Sequence, residues 1–370
     1  MINKIINKAA KKKTILIVPL DWGLGHATRC IPLIQSFYAN GCEVIIAGEG
    51  AVLSLLKHEF QQLTLLPVKG YRVSYTNKKK SLKLKIMAQL PCILLTIYKE
   101  HQWLKKVVKK YSIDAVVSDN RFGLFHSTLP SIYITHQLLI KTGGPFSERM
   151  GSKIHYWFIS RFSQCWVPDF EGPKNIAGAL SHPASLPANT LYIGGLSRFM
   201  AGPVVDKKYD LLVLLSGPEP QRTIFESMLL TQLQHFDGSV LFVRGLPGDN
   251  HRQKPALTNN TAVSIEQHLT ATDLNQAILQ ASQIICRSGY TTIMDLLKLK
   301  RTAILVPTPG QTEQEYLAGH LMKQHLFYTI SQKEFVLSNA LQKANDFQYV
   351  FSTFDMEQYK KEVTKFVQSL

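Results

Sequence analysis

The hydrophobic positions of this chain fall into short solid runs separated by longer stretches with a helical repeat. Thr14–Leu20 (TILIVPL) has no polar alternation, as expected of a strand covered on both faces. A glycine-bearing turn at Asp21–His26 follows, then a helical stretch to Ala39 that Asn40-Gly41 should stop. The strand signal returns at Glu43–Ala47, Asp114–Ser118, Ser131–Thr135 and Gln164–Val167. It restarts near Tyr209 with Asp210–Leu215, a Ser-Gly-Pro turn and a helix through Leu233. Strands are then expected at Ser239–Arg244, Ala262–Ile265, Gln283–Cys286 and Thr302–Val306. Strands alternating with helices predict the α/β class, with parallel sheets flanked by helices.

Gly194–Asp206 holds three glycines and a proline and reads as a boundary. The expectation is two Rossmann-like doubly wound domains, 1–198 and 199–370, facing a cleft at the carboxyl ends of both sheets. The length of 370 residues also favours two cores over one. In the tail, Met356, Tyr359, Val363, Phe366, Val367 and Leu370 recur at helical spacing. The 356–370 segment should be an amphipathic helix packing back onto a domain, with the amino-terminal one a candidate.

Apolar residues at 45% and charged residues at 18% exclude wholesale disorder. The cysteines Cys30, Cys42, Cys92, Cys165 and Cys286 form no C-x-x-C pair, which argues against a disulfide framework or zinc site and suits a cytoplasmic setting. The basic start, Met1–Lys13, lacks the apolar stretch of a secretory signal, and the apolar run within Ile86–Tyr98 is too short to span a bilayer.

The net charge of +16 is unevenly placed. Between Lys69 and Lys110, twelve Lys/Arg stand against one acid, Glu100. Leu82, Ile86, Met87, Leu90, Ile93, Leu94, Leu95, Ile97, Tyr98, Trp103 and Leu104 are interleaved with them. This reads either as a helix pair lying on anionic lipid, peripheral to the inner face of the plasma membrane, or as a solvated face with ordinary core contacts. No nucleic-acid motif accompanies the charge, so nucleic acid is not an expected partner.

Four loops carry candidate chemistry. In Asp21-Trp22-Gly23-Leu24-Gly25-His26, the glycines permit a tight turn and close ligand approach at a helix start, where negative charge is favoured. His26 there suits a general base, or simply a helix-capping role. Thr28 replaces the third glycine of G-x-G-x-x-G, which disfavours nicotinamide. In Arg287-Ser288-Gly289-Tyr290-Thr291-Thr292, backbone N–H groups and hydroxyls would meet a bound anion, with Asp295 placed to accept from a ribose diol. Thr308-Pro309-Gly310-Gln311-Thr312-Glu313-Gln314 crowds polar side chains suited to sugar hydroxyls, or caps a helix. Ser216-Gly217 suits a phosphate contact or an ordinary turn. Asp119-Asn120-Arg121 and His136-Gln137 point into the same cleft, to touch an acceptor or to tie loops down.

In this order the clusters resemble MurG-type GT-B glycosyltransferases, from about Asp21 to Ala318. The family's glycine-rich loop ending in His is similar to Gly23-Leu24-Gly25-His26. Its Ser-Arg-Ala-Gly segment is similar to Cys286-Arg287-Ser288-Gly289. The resemblance places the ribose-binding acid on Asp295, the sugar-binding pair on Glu313-Gln314, where the family has Gln-Gln, and the uracil loop near His268-Leu269. It implies a nucleotide-sugar donor, a UDP-sugar by the same resemblance, bound by the carboxyl-terminal domain, with no other cofactor and no metal. The acceptor would be a sugar, lipid or lipid-linked hydroxyl approached by Gly23, Gly25, Arg29, Asp119 and His136. His26 would be the base of an inverting displacement. The Gly-x-Gly-His-x-x-Arg spacing, with Arg29, also resembles a UDP-sugar hydrolase branch. A non-catalytic binding protein is the third alternative.

Overall fold

A computed structural model describes residues 12–71, 79–141, 144–203, 205–246 and 262–370, with side chains described throughout these except at 79–90 and 145. The first half contains β1 (Thr14–Val18), α1 (Leu24–Ala39), β2 (Glu43–Gly48), α2 (Gly50–Glu59), β3 (Thr64–Pro67), α3 (Lys79–Tyr111), β4 (Ala115–Asp119), β5 (Ser131–Ile134), α4 (Pro145–Ile159), β6 (Gln164–Val167) and β7 (Thr190–Tyr192). The second contains β8 (Tyr209–Leu214), α5 (Gln221–Leu233), β9 (Val240–Val243), β10 (Val263–Glu266), α6 (Ala271–Gln280), β11 (Ala281–Cys286), α7 (Tyr290–Lys298), β12 (Ile304–Leu305), α8 (Thr312–Lys323), β13 (Tyr328–Thr329), α9 (Leu337–Asp346) and α10 (Gln358–Gln368).

Each half builds one parallel sheet, ordered β3-β2-β1-β4-β5-β6-β7 and β10-β9-β8-β11-β12-β13. The strand order reverses between β1 and β4 and between β8 and β11. Loops leaving neighbouring strands there diverge to opposite faces and open a crevice. Strands β1, β4, β5 and β9 are buried at every position, which explains why apolar residues dominate them without polar alternation.

The last helix crosses back. Tyr359, Val363 and Phe366 of α10 join the core around α1 and β1, with the Phe366 ring edge-on to Phe37 and Trp166 at 6.2 and 5.7 Å. Losing a buried phenylalanine there would cost about 3–5 kcal/mol, so the tail is a structural clasp between the halves.

The basic segment departs from expectation. It forms one 33-residue helix, α3, with Pro91 inside it, in place of a helix pair. Ile97, Leu104 and Val107 of α3 are buried, so part of the segment is ordinary core. Its residues 72–78 lie outside the described residues, as do the side chains of Leu82, Ile86, Met87 and Leu90. Among the described residues no helix is long and apolar enough to cross a membrane.

Candidate active site

The first crevice is built around the amino end of α1. Gly23 caps this helix with φ 116°, a conformation that disfavours any side chain. The turn thereby delivers His26 in the first helical turn, where its ring is 17% exposed. Asp119, the last residue of β4, is fully buried beside it, with Oδ2 2.9 Å from His26 Nδ1. Arg29, one turn along α1, donates to the other Asp119 oxygen and lies 2.8 Å from His26 Nδ1. Its second arm meets His136 Nδ1 at 2.9 Å.

Burial and then the Arg29 charge lower the pKa of His26, while Asp119 pulls the other way. The imidazole therefore favours its neutral form, as a base requires. Burial resists ionisation of Asp119, but Arg29 and then His26 hold its pKa below the usual carboxylate range. Asp119 is thus a fixed anion able to orient the imidazole and to stabilise it once protonated.

The second crevice lies at the β8–β11 reversal, where Ser216 and Gly217 are exposed. Gly289 caps α7, whose first turn carries Thr291 and Thr292. The two crevices meet: the Thr291 hydroxyl donates to the Gly25 carbonyl, so the amino ends of α1 and α7 abut. The domains also touch where His136 Nε2 meets Glu313 Oε1 at 2.8 Å, and where the His136 ring stacks on Tyr290 with centroids 4.0 Å apart. Thr312 Oγ1 donates to the Lys141 carbonyl at 3.1 Å.

Several expected contacts have other partners. Arg287, expected at phosphate, is 1% exposed. Its guanidinium donates to the carbonyls of Val306, Pro307 and Gln221 and to Gln332 Oε1, above the Phe225 ring. It braces the crevice floor because those acceptors converge only in the folded sheet. The Ser288 hydroxyl donates to the Gln314 carbonyl, so its side chain ties α8 to α7, and only its backbone is available to an anion.

Gln314, expected on sugar hydroxyls, is 9% exposed and accepts from the Thr308 backbone through Oε1. Gly310 donates its N–H to Glu315 Oε1 at 2.9 Å, and Gln311 caps α8. Leu269 packs on the carboxyl-terminal core, so apolar burial, not base contact, accounts for its side chain. His268 is partly exposed after β10, and burial, then Arg198 and His58, lower its pKa. Arg121 is fully buried on Glu100 and donates to the Lys69 and Pro19 carbonyls, which is the loop-tying alternative.

Asp295 lies on α7. It is 7% exposed, accepts from the Ser197 hydroxyl at 2.6 Å, and burial raises its pKa to about 6 against the pull of Arg198. One feature escaped sequence reading. Thr308 is 1% exposed, and its hydroxyl has no hydrogen-bond partner among the described residues. It lies 3.4 Å from where a Cβ on Gly217 would stand. A buried hydroxyl facing a glycine that leaves room beside it is an unmet donor at the second crevice.

Residues 222–369 match the glycosyltransferase family 28 C-terminal domain. The chain is a glycosyltransferase of the GT-B fold. This glycosyltransferase is similar in fold to MurG of Acinetobacter baumannii, at 14% identity over 97% of this chain and 100% of that one, TM-score 0.53. It is also similar to the calicheamicin glycosyltransferase CalG4, at 12% identity over 97% and 95%, TM-score 0.62. The spinosyn rhamnosyltransferase SpnG complexed with thymidine diphosphate matches at 12% identity over 96% of each chain, TM-score 0.57. A search of curated proteins finds no match.

Proposed function

We propose that this glycosyltransferase moves a sugar from a nucleoside-diphosphate donor, uridine-linked by its resemblance to MurG-type enzymes, to an acceptor hydroxyl with inversion. The observation that carries this reading is the pair formed by His26 of α1 and Asp119 of β4, with the amino end of α1 abutting that of α7. The acceptor hydroxyl gives its proton to His26 Nε2 while its oxygen attacks the anomeric carbon. The bond from that carbon to the diphosphate oxygen breaks, and the diphosphate leaves with the electron pair.

Nδ1 of His26 stands between Asp119 Oδ2 and the Arg29 guanidinium, at 2.9 and 2.8 Å; in this reading it carries its proton toward the carboxylate while Arg29 donates to the other Asp119 oxygen, which leaves Nε2 as the free lone pair. The backbone N–H groups and dipole at the start of α7 take up the charge of the leaving group without a metal ion. The Ser216-Gly217 turn and the Thr308 hydroxyl line the same crevice. Asp295 receives the ribose diol. Glu313, with a side chain 33% exposed, keeps one oxygen toward the donor sugar.

The acceptor we infer is lipid or lipid-linked. On α4, Phe146, Met150, Ile154 and Trp157 recur at spacings of four, four and three and are 48–79% exposed. Arg149, Lys153 and Arg161 are exposed around them. Phe158 of the same helix packs with Ile93 and Ile97 of α3, whose Leu94 and Tyr98 are also exposed. An apolar row with a cationic rim suits an anionic membrane face.

Replacement of His26 by Ala tests the base. A loss of about 10²–10⁴ in kcat is expected for removal of a general base, with UDP still raising the melting temperature as in the parent. Retained turnover would remove His26 from the reaction. Incubation with donor alone separates transfer from hydrolysis, because sugar release at the full rate without acceptor would favour the hydrolase.

A further inference from the structure

Five polar side chains form an unbroken chain from one domain to the other: His26, Asp119, Arg29, His136 and Glu313. The proton positions follow from chemistry. An arginine only donates, so His136 Nδ1 must accept from Arg29. The His136 proton then sits on Nε2, where it needs an acceptor, and Glu313 Oε1 supplies one at 2.8 Å. Stacking against Tyr290 of α7 holds the ring in the plane this requires. Every partner of His136 on its Nε2 side comes from the carboxyl-terminal half.

We propose that Glu313 is a positioning residue for the base: through His136 and Arg29, docking of the carboxyl-terminal domain brings a second carboxylate to bear on His26. This rests on the assignment of His26 as the base. The charges around His26 are Asp119 from β4, Arg29 from its own helix with the Cys30 thiol beside Asp119, His136 after β5, and Glu313 from α8. Arg29 weakens the base by its positive charge. Although burial opposes it, attraction to His136, Arg29 and His26 lowers the pKa of Glu313, so it arrives as an anion. An anion there offsets Arg29 and strengthens His26 as a proton acceptor when donor and acceptor domains are together. With the domains apart, Asp119 alone would balance Arg29, and the base would be weaker.

The test is a titration of the histidine ring nitrogens by NMR in the full chain, compared with Glu313→Gln and His136→Phe. Glutamine keeps an oxygen for His136 Nε2–H and removes only the charge, and phenylalanine keeps the stack on Tyr290 and cuts the link. We expect His136 of the parent to carry a proton at Nε2, toward Glu313. The His26 midpoint should fall by about half to one pH unit in Glu313→Gln, and by less when that change is added to His136→Phe. The acid limb of the kcat profile should move the same way, with kcat about three- to tenfold lower. An unmoved His26 midpoint, with a change confined to donor KM, would overturn the proposal and leave Glu313 as a sugar contact. So would a His136 proton on Nδ1. The titration needs no substrate, so a failure of the His26→Ala test would be read separately.

Discussion

The Thr291 hydroxyl donates to the Gly25 carbonyl across 3.3 Å, joining the first turns of two helices from different domains. A single carbon added to Gly25 would stand 3.1 Å from that oxygen, tighter than ordinary contact. Gly25→Leu therefore pushes the base-bearing helix away from the donor-bearing one. In the proposed function the nucleotide is held by the carboxyl-terminal half, so UDP affinity should stay close to the parent. Steady-state kinetics should show kcat/KM down by about tenfold or more, roughly 1.4 kcal/mol of lost transition-state stabilisation. Unchanged kcat/KM would show that the reaction does not need this approach.

Thr308 presents a different balance, because its buried hydroxyl lacks a partner among the described residues. Thr308→Val keeps the shape and removes the unmet group. The free variant should be as stable as the parent or more so, by up to about 1 kcal/mol. If the hydroxyl meets the donor diphosphate, UDP should bind about five- to tenfold more weakly, a hydrogen-bond-sized loss. Thermal shifts with and without UDP read both quantities. Equal UDP-induced shifts in parent and variant would exclude the contact.

Much of this architecture is legible in the sequence because parallel strands are buried on both faces. Runs such as TILIV in β1 and VLFV in β9 announce themselves without reference to anything distant. The edge strands β7 and β13, three and two residues long, carry too few positions for any pattern and were not foreseen. Pro91 reads locally as a helix stop, yet α3 runs through it, because packing of Ile97, Leu104 and Val107 on the first domain outweighs local propensity. Which loops leave the strand ends at the two crevices was legible from glycines after strands. Which atoms face the crevice was not. Arg287 looks like a phosphate ligand until the carbonyls of Val306, Pro307 and Gln221 converge on it. The pairing of His26 with Asp119 spans 93 positions and exists only through the β1–β4 register.

Asp295 makes the stability of the enzyme depend on pH. Its folded pKa of about 6 stands above the ordinary aspartate value of about 3.9, mainly through burial. Between these values the folded state holds a proton that the unfolded state has released, so stability falls as pH rises through about 4 to 6. The two-unit gap corresponds to about 3 kcal/mol at neutral pH. Asp295→Asn should therefore raise the urea midpoint at pH 7.5, with the gain shrinking toward pH 4. The same change should weaken UDP binding if the carboxylate accepts from the ribose diol. A midpoint difference independent of pH would show that Asp295 does not titrate in this range.

The exposed row on α4 has no partner within the described fold that accounts for it. Phe146 is 79% exposed and Trp157 54%, and the Arg161 guanidinium lies 3.8 Å from the Trp157 ring centroid, so cation and aromatic already share one site. Aromatic rings settle at the headgroup level, and each Lys or Arg near an anionic surface adds about 1 kcal/mol. Phe146→Ser with Trp157→Ser removes apolar insertion without touching the crevice. Arg149→Gln with Lys153→Gln removes charge instead. In vesicle co-sedimentation, the parent should bind phosphatidylglycerol vesicles and release in high salt. The serine pair should lose binding at all salt concentrations, and the glutamine pair should bind about thirtyfold more weakly, as two surface charges would dictate. Activity on a short water-soluble acceptor should remain within about twofold in both variants, because neither pair lies among the residues lining the crevice. Equal binding of both pairs to anionic vesicles would reject this helix as the membrane contact.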